Sequence, residues 1–251
     1  MKRLLIAAFA SLAFTALADG ENTSYSPNIG VTEISPTLQN TIIPVKFTSL
    51  AGGTEGTIKA VDLVHPVGIP SGTQLYVFVN NKYEAFVMGT NEWAPLTTTS
   101  TSDPSLHTAD IGQVAVAGTA LWLVFPSNTD LSNKKIYIYG QVEDSLTSTI
   151  VPGKSNLLCN PTTATVTGSS LISKLDGKAT RGDTISPLGA SFAGNYIYNG
   201  TIWMHVYQEA GSTVIDQGLN NAGTLPDVLS NQGFWYVSKA QAGGENKTIE
   251  W

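Results

Sequence analysis

The amino-acid sequence predicts an all-β fold: two tandem homologous β-sandwich-like units, or one pseudo-symmetric sandwich built from both, with one or two short helices. Three observations carry this expectation. Short runs rich in Val, Ile, Tyr, Phe and Trp recur along the chain, bounded by Gly, Pro, Asn and Ser, which is how strands and their turns read. Helix signals are few. Phrases also recur in the same order at an offset of 108 to 113 residues, and a near-constant offset marks an internal repeat.

The elements follow in order. In the first unit the strand-like runs are Ile42–Thr48, Thr57–Leu63, Gln74–Val79, Tyr83–Met88, Val114–Phe125 with a break at Gly118, and Lys135–Tyr139. In the second they are Asn156–Cys159, Tyr196–Tyr198, Ile202–Gln208, Phe234–Ser238 and Lys247–Trp251. Asn80-Asn81-Lys82 and Asn199-Gly200 are turn formers, because Asn and Gly tolerate positive φ, and they predict hairpins. Ser169-Ser170 before Leu171–Leu175 predicts one short helix, and Pro226–Leu229 a single helical turn. The polar stretch Thr97–Pro104 predicts an exposed loop.

The repeat rests on collinear matches. Gly30-Val31-Thr32-Glu33 answers Gly140-Gln141-Val142-Glu143, and Thr41–Pro44 answers Thr149–Pro152. Gly72–Leu75 answers Gly182–Ile185, and Gly89-Thr90 answers Gly200-Thr201. Leu121–Val124 answers Phe234–Val237, and Asn133–Ile136 answers Asn246–Ile249. These matches divide the chain into a signal peptide (1–18), an N-terminal segment (19–29), one β unit over 30–139 and its duplicate over 140–251. The expected framework aromatics are Tyr83, Trp93 and Trp122 in the first unit and Tyr196, Trp203 and Trp235 in the second. Trp251 falls where the first unit has Ile138, so it reads as a strand of the repeat rather than the terminal aromatic of a membrane barrel.

Lys2 and Arg3, an apolar stretch from Leu4 to Phe14, and Ala16-Leu17-Ala18 form the three-part pattern of a secretory signal peptide. Cleavage near Ala18 is expected, giving a secreted chain (extracellular, cell-surface or periplasmic). The apolar stretch is shorter than the roughly 20 residues of a membrane span, and no membrane span is expected. Cleavage removes two basic residues and no acid, taking the formal charge from −6 to −8. That argues against nucleic acid and anionic lipid as partners, because both reward clustered Lys and Arg. Charged residues make up 13% of the chain, about half the usual share, and Thr, Ser, Asn and Gly take their place.

The combination GVTEISPTLQNTIIPVKF, GKSNLLCNP, GTIW and GFWYVSKA resembles a paralogous family of secreted bacterial β-rich proteins of unknown function. The resemblance implies export and a β fold, and it brings no catalytic residues to carry over.

The candidate chemistry is sparse. The single cysteine, Cys159, excludes an intramolecular disulfide and reads as a small buried hydrophobe. His65, His107 and His205 show no zinc spacing, and no metal or cofactor is expected. Asn128–Asn133 has oxygen ligands on alternate residues, as a calcium loop does, but reads first as a polar turn. Asp183 and Asp216 are carboxylates that glycoside hydrolysis would have to bring together across a cleft. Along Ile202–Tyr207 the side chains alternate, with Ile202, Met204 and Val206 on one face and Trp203, His205 and Tyr207 on the other. With the aliphatic face inward, Trp203, His205 and Tyr207 form an outward aromatic stripe, a candidate sugar-binding platform. The first reading is therefore a secreted, non-enzymatic structural or cell-surface interaction module, its partner another surface protein or a polysaccharide. Carbohydrate binding comes second and a secreted hydrolase third.

Overall fold

A computed structural model describes residues 29–36, 39–48, 57–79, 82–96, 106–107, 110–142, 146–187, 195–209, 212–216, 225–228 and 232–251. The chain is mostly β, with several antiparallel sheets and two short helices. The first half contains β1 (Ile29–Ile34), β2 (Asn40–Pro44), β3 (Thr57–Lys59), α1 (Ala60–Leu63), β4 (Gln74–Val79), β5 (Lys82–Met88), β6 (Trp93–Pro95), β7 (Leu106–His107), β8 (Val114–Val116), β9 (Ala120–Val124) and β10 (Ile136–Gln141). The second contains β11 (Thr147–Ile150), β12 (Ser155–Cys159), α2 (Gly168–Leu175), β13 (Thr184–Pro187), β14 (Asn195–Tyr198), β15 (Trp203–Glu209), β16 (Ser212–Asp216), β17 (Gly233–Val237) and β18 (Lys247–Glu250).

Each half is built on one large sheet. In the first, the strands run β2-β9-β4-β5-β6, with β7 added parallel to β5; in the second, β12-β17-β13-β14-β15-β16. Two-stranded ladders β1–β10 and β3–β8 close the first core, and ladder β11–β18 with α2 closes the second. Alternation fixes which side chains go inward. Leu75, Phe86, Leu121 and Leu123 meet Ile136, Ile138 and Leu63 in the first core. Ile185, Phe234 and Tyr236 meet Ile150, Ile249 and Leu171 in the second.

The two sheets share both pairing order and register. Leu75 stands opposite Leu123 on one side and Phe86 on the other; Ile185 stands opposite Tyr236 and Tyr196. Trp93 pairs with Met88, and Trp203 with Tyr198. The turns agree atom for atom. Gly72, at φ +84°, donates to Met88 O at 2.8 Å, and Gly182, at φ +92°, donates to Tyr198 O at 2.8 Å. Met88 N–H returns to Thr73 O at 2.8 Å, and Tyr198 N–H to Asp183 O at 2.9 Å.

These ladders also correct details of the sequence reading. The hairpin positions correspond at a fixed offset, so Asn199 stands where Gly89 does, and the Gly-Thr match is one residue out of frame. Tyr196 takes the place of Phe86 rather than Tyr83. Thr41–Pro44 correspond to Asn156–Cys159, since both runs flank the same central strand, and not to Thr149–Pro152. Gly30 and Gly140 are ladder partners, not counterparts. A Cβ on Gly30 would lie 2.6 Å from Phe47 Cε1, and one on Gly140 2.5 Å from Phe47 Cβ, so the glycine pair makes room for that ring. The division expected between 139 and 140 falls inside β10, which pairs along its length with β1.

Several element boundaries shift. Ala60–Leu63 is a helical turn rather than the end of a strand, burying Ala60 and Leu63. The break at Gly118 is there, at φ +81°. Helix α2 begins earlier than Ser169-Ser170: Thr167 is the N-cap, its Oγ1 accepting from Ser170 N at 3.3 Å, a typical capping contact. Leu225–Val228 is not helical; Val228 bridges Val166, and Leu229 lies outside the described residues. Thr97–Pro104, Asn80 and Asn81 lie outside them too.

A third apolar cluster joins the halves. Ala120, Leu157 and Cys159 are buried together, with Ile42, Phe78 and Trp235 packed around them. Thr119 bridges Leu158, and Cys159 N–H donates to Gly118 O at 3.0 Å. Ser148 Oγ donates to the same carbonyl at 2.7 Å and accepts from Trp251 Nε1 at 2.6 Å. Trp251 is thereby held within the second core's edge and tied to the seam.

Candidate functional surface

The outward stripe expected on β15 does not form. Trp203 is 2% exposed, in the second core, with ring centroids of Tyr198 and Tyr236 at 5.3 and 6.2 Å. His205 is half-buried beside the Tyr196 ring, 5.0 Å centroid to centroid. The side chain of Tyr207 lies outside the described residues. The strand is turned over relative to expectation because the core takes the largest apolar side chain. A buried Trp removes about 150–250 Å² from water, more than the aliphatic residues beside it.

The framework aromatics separate into two sets. Trp93 and Trp203 fill the two cores; Trp93 is 7% exposed and donates its Nε1–H to Val64 O at 2.8 Å. Tyr196 packs against the second core. Tyr83, Trp122 and Trp235 are half-buried, and they meet in one cluster with Tyr76 and Phe78. Trp122 lies 6.2 Å from Tyr83 and 6.3 Å from Tyr76, and Tyr83 lies 6.4 Å from Trp235. Phe78 meets Trp235 edge to face at 4.8 Å, the arrangement ring quadrupoles favour.

This cluster occupies the face of the first sheet turned away from its core. The outward positions of β4, β5 and β9 alternate with core residues Leu75, Val77, Phe86, Met88, Leu121 and Leu123. None of those outward positions carries a charge. Tyr76 Oη donates to Gln74 Oε1 at 2.5 Å, fixing one phenol on the face. Burial pushes the Tyr83 phenol up, so it stays neutral. The arrangement offers flat amphipathic rings in an uncharged setting. Sequence reasoning missed Tyr76 and Phe78 because neither repeats in the other half, where Ser186 stands opposite Trp235 as Tyr76 stands opposite Trp122.

The remaining candidates are placed as follows. Asp183 is buried and accepts from Thr180 N at 2.8 Å, Lys239 N at 2.6 Å and Tyr236 Oη at 2.5 Å. It is a structural carboxylate with its oxygens engaged. Asp216 stands opposite His205 in the β15–β16 ladder, and its side chain lies outside the described residues, as does that of His107. His65 Nδ1 accepts from Val67 N at 3.2 Å. In Asn128–Asn133, Asp130 Oδ1 accepts from Ser132 Oγ at 2.7 Å and Ser132 N at 2.9 Å, closing a local turn. Those bonds hold the Asp130 carboxyl below its ordinary range. The loop borders a shallow hollow of about 350 Å³ lined by Ser35, Pro36 and residues 131–135. Among the described residues no group of three or more His, Cys, Asp or Glu could hold a metal ion, and no helix is long and apolar enough to cross a membrane.

Cys159 is free and buried at the seam, and burial pushes its thiol up to about 12. Burial and the Asp183 hydrogen bond push the Tyr236 phenol up as well. A raised folded pKa contributes stability that is complete below the unfolded value and is lost as pH rises toward the folded one. For Cys159 that window runs from about 8.5 to about 12. The chain should lose up to ~1.4 kcal/mol per pH unit for this group as the unfolded thiol ionises. Tyr236 adds a second decline starting near pH ~10. Urea midpoints measured from neutral to alkaline pH test this; Cys159→Ala should abolish the first decline and Tyr236→Phe should reduce the second, to which the raised phenols of Tyr83 and Tyr196 also contribute. A decline unchanged in both variants would assign it to other groups.

No family model, no curated protein and no solved structure matches the chain.

Proposed function

We propose that the chain is a secreted, non-enzymatic β protein, formed by duplication of one β unit, that acts as a structural or cell-surface interaction module. The duplication is supported by the common pairing order, register and turn hydrogen bonds of the two sheets. The single observation that carries an interaction role is the uncharged aromatic face of the first sheet, extended by Trp235 from the second. Mass spectrometry of the exported chain tests the secretory reading; a new N-terminus near Asp19 is expected, and an intact Met1 end would count against it.

Carbohydrate binding is the second reading, and it moves from the Trp203 stripe to the face of Tyr76, Tyr83 and Trp122. Aromatic rings with polar edges stack on sugar rings, and the absence of charge on this face favours a neutral polysaccharide. Soluble neutral glycans should then quench tryptophan emission, with Trp122→Ala removing most of the response while the far-ultraviolet circular dichroism stays unchanged. Acidic glycans should do markedly less. A protein partner on the same face would leave glycans silent while Trp122→Ala weakened attachment to cell surfaces. If Trp122→Ala altered neither readout, the interaction role of this face would be rejected. A hydrolase is the weakest reading, because Asp183 is enclosed and committed to three donors.

A further inference from the structure

Trp93 and Trp203 hold the same place in their ladders, each paired with the last residue of the preceding strand. In the first half the chain satisfies its own indole, since Trp93 Nε1–H donates to Val64 O at 2.8 Å, just past α1. In the second half it does not. Trp203 is 2% exposed, yet among the described residues nothing accepts a hydrogen bond from its indole N–H, and that nitrogen is left open rather than sealed in the core. The ring borders a hollow of about 100 Å³ between the end of α2 and the β14–β15 hairpin. Ile172, Leu175 and Ala179 form one wall, Tyr198 and Ile202 the other, and Asp176 is the single charge lining it. Asn199 Oδ1 accepts from Thr201 N at 2.8 Å and Ile202 N at 2.9 Å, which fixes the turn that carries Ile202. Asp176 follows the last turn of α2, where the helix dipole disfavours an anion, and among the described residues no ion pair holds it.

We propose that this hollow binds the acetamido group of an N-acetylated amino sugar, independently of the aromatic face of the first sheet. Size comes first. An apolar cavity of about 150 Å³ takes one benzene, so about 100 Å³ takes about four heavy atoms, the number in an acetamido group. Chemistry then selects among groups of that size. An indole N–H only donates, and a buried donor is costly to leave unmatched, so the entering group must bring an acceptor. Ammonium and guanidinium groups bring none. A carboxylate brings one, but Asp176 at the rim repels it and calls for a donor instead. The aliphatic walls call for a methyl. An acetamido group supplies all three: a carbonyl for Trp203, an N–H for Asp176 and a methyl for Ile172, Leu175 and Ala179. Few polar groups converging in an apolar hollow is the usual make-up of a small-ligand site. The rest of the ligand then lies at the rim, where Asp176 and Thr201 are exposed. Sugar hydroxyls find partners there, whereas the stem of an acetylated lysine would lay its methylenes against water and polar groups.

Nuclear magnetic resonance of the isotope-labelled mature chain tests the proposal through the indole N–H resonance of Trp203, assigned by its proximity to the Tyr198 and Tyr236 rings. Titration with N-acetylglucosamine should shift that resonance to saturation. The affinity should exceed that for glucose or glucosamine, which lack the acetyl carbonyl and methyl, by at least about tenfold. Ala179→Leu fills the hollow without touching a polar group, so it should abolish the shift with unchanged circular dichroism. Asp176→Ala should weaken binding several-fold. Trp122→Ala, on the first sheet, should leave the titration as it was, which separates this site from glycan binding by the aromatic face. A Trp203 resonance that stays still, that responds equally to glucose, or that still shifts in Ala179→Leu overturns the proposal. Tighter binding of N-acetyl-lysine than of N-acetylglucosamine would overturn it as well, by giving the hollow to acetylated protein.

Discussion

Gly118→Val lowers the thermal unfolding midpoint by about 10 °C, reflecting a loss of about 3–4 kcal/mol. Two costs add at this residue. Its φ is +81°, a region where a β-branched side chain is a genuine outlier. A Cβ there would also lie 2.3 Å from Thr147 O and 2.4 Å from Ser148 Oγ. The first contact is with backbone, so no rotamer change relieves it. What gives way is the seam itself: Gly118 O accepts from both Cys159 N and Ser148 Oγ, and Gly118 N–H donates to Val45 O at 2.9 Å. The two halves are therefore expected to lose their coupling before either core melts. Differential scanning calorimetry should resolve one wild-type transition into two in the variant. Gly68→Val separates the causes, because Gly68 has φ +84° with nothing within 4 Å of its Cβ position. That control should lose only ~1–2 kcal/mol. Equal losses at the two sites would mean that the seam accommodates the new side chain and that only backbone strain was measured.

How much of this was legible in the sequence depends on what each residue reports. Strand existence was, because Gln74–Val79 and Asn156–Cys159 are short, largely apolar runs between turn formers; β4 occupies the first, and β12 covers the second and begins one residue earlier, at Ser155. Pairing was not. Thr41–Pro44 resembles Thr149–Pro152 because strands draw on the same few β-branched residues, yet hydrogen-bonded ladders assign it to Asn156–Cys159. Facing failed at β15 for a related reason. Alternation says that Trp203 and Met204 point apart, but not which of two apolar faces the core will claim. Polarity decides such questions only where one face meets water, and here Met204 and Val206 are half-buried on the other side. The aromatic cluster was half legible. Trp122 and Trp235 stand at matched positions, but their meeting through Phe78 and Tyr83 depends on how the two sheets join, which no local pattern encodes.

Asp183→Ala should be among the most destabilising single changes in the chain, at about 4 kcal/mol, because it strands three buried or half-buried donors at once. Thr180 N–H, Lys239 N–H and the Tyr236 hydroxyl all end on this carboxylate. Tyr236→Phe removes one donor and leaves two satisfied, so it should cost only ~2 kcal/mol. The corresponding site in the first half explains why the group is needed in one half only. Thr73 stands where Asp183 does, Leu123 where Tyr236 does, and Pro70 and Pro126 where Thr180 and Lys239 do. Geometry supports the last equivalence: a Cβ on Gly72 would approach Pro126 at 3.6 Å, and one on Gly182 would approach Lys239 at 3.3 Å. Proline has no N–H and leucine no hydroxyl. Every donor that Asp183 satisfies is missing around Thr73, whose Oγ1 is buried without a hydrogen-bond partner. On the proposed duplication, acceptor and donors changed together. Asp183→Thr alone should therefore cost nearly as much as Asp183→Ala. Adding Tyr236→Leu, Thr180→Pro and Lys239→Pro should recover more than half of the loss, a coupling of the size expected for residues in one network. Chemical denaturation of the single and quadruple variants measures it. Strictly additive losses would show that the two sites are not versions of one ancestral turn, and would remove the strongest energetic support for common descent of the halves.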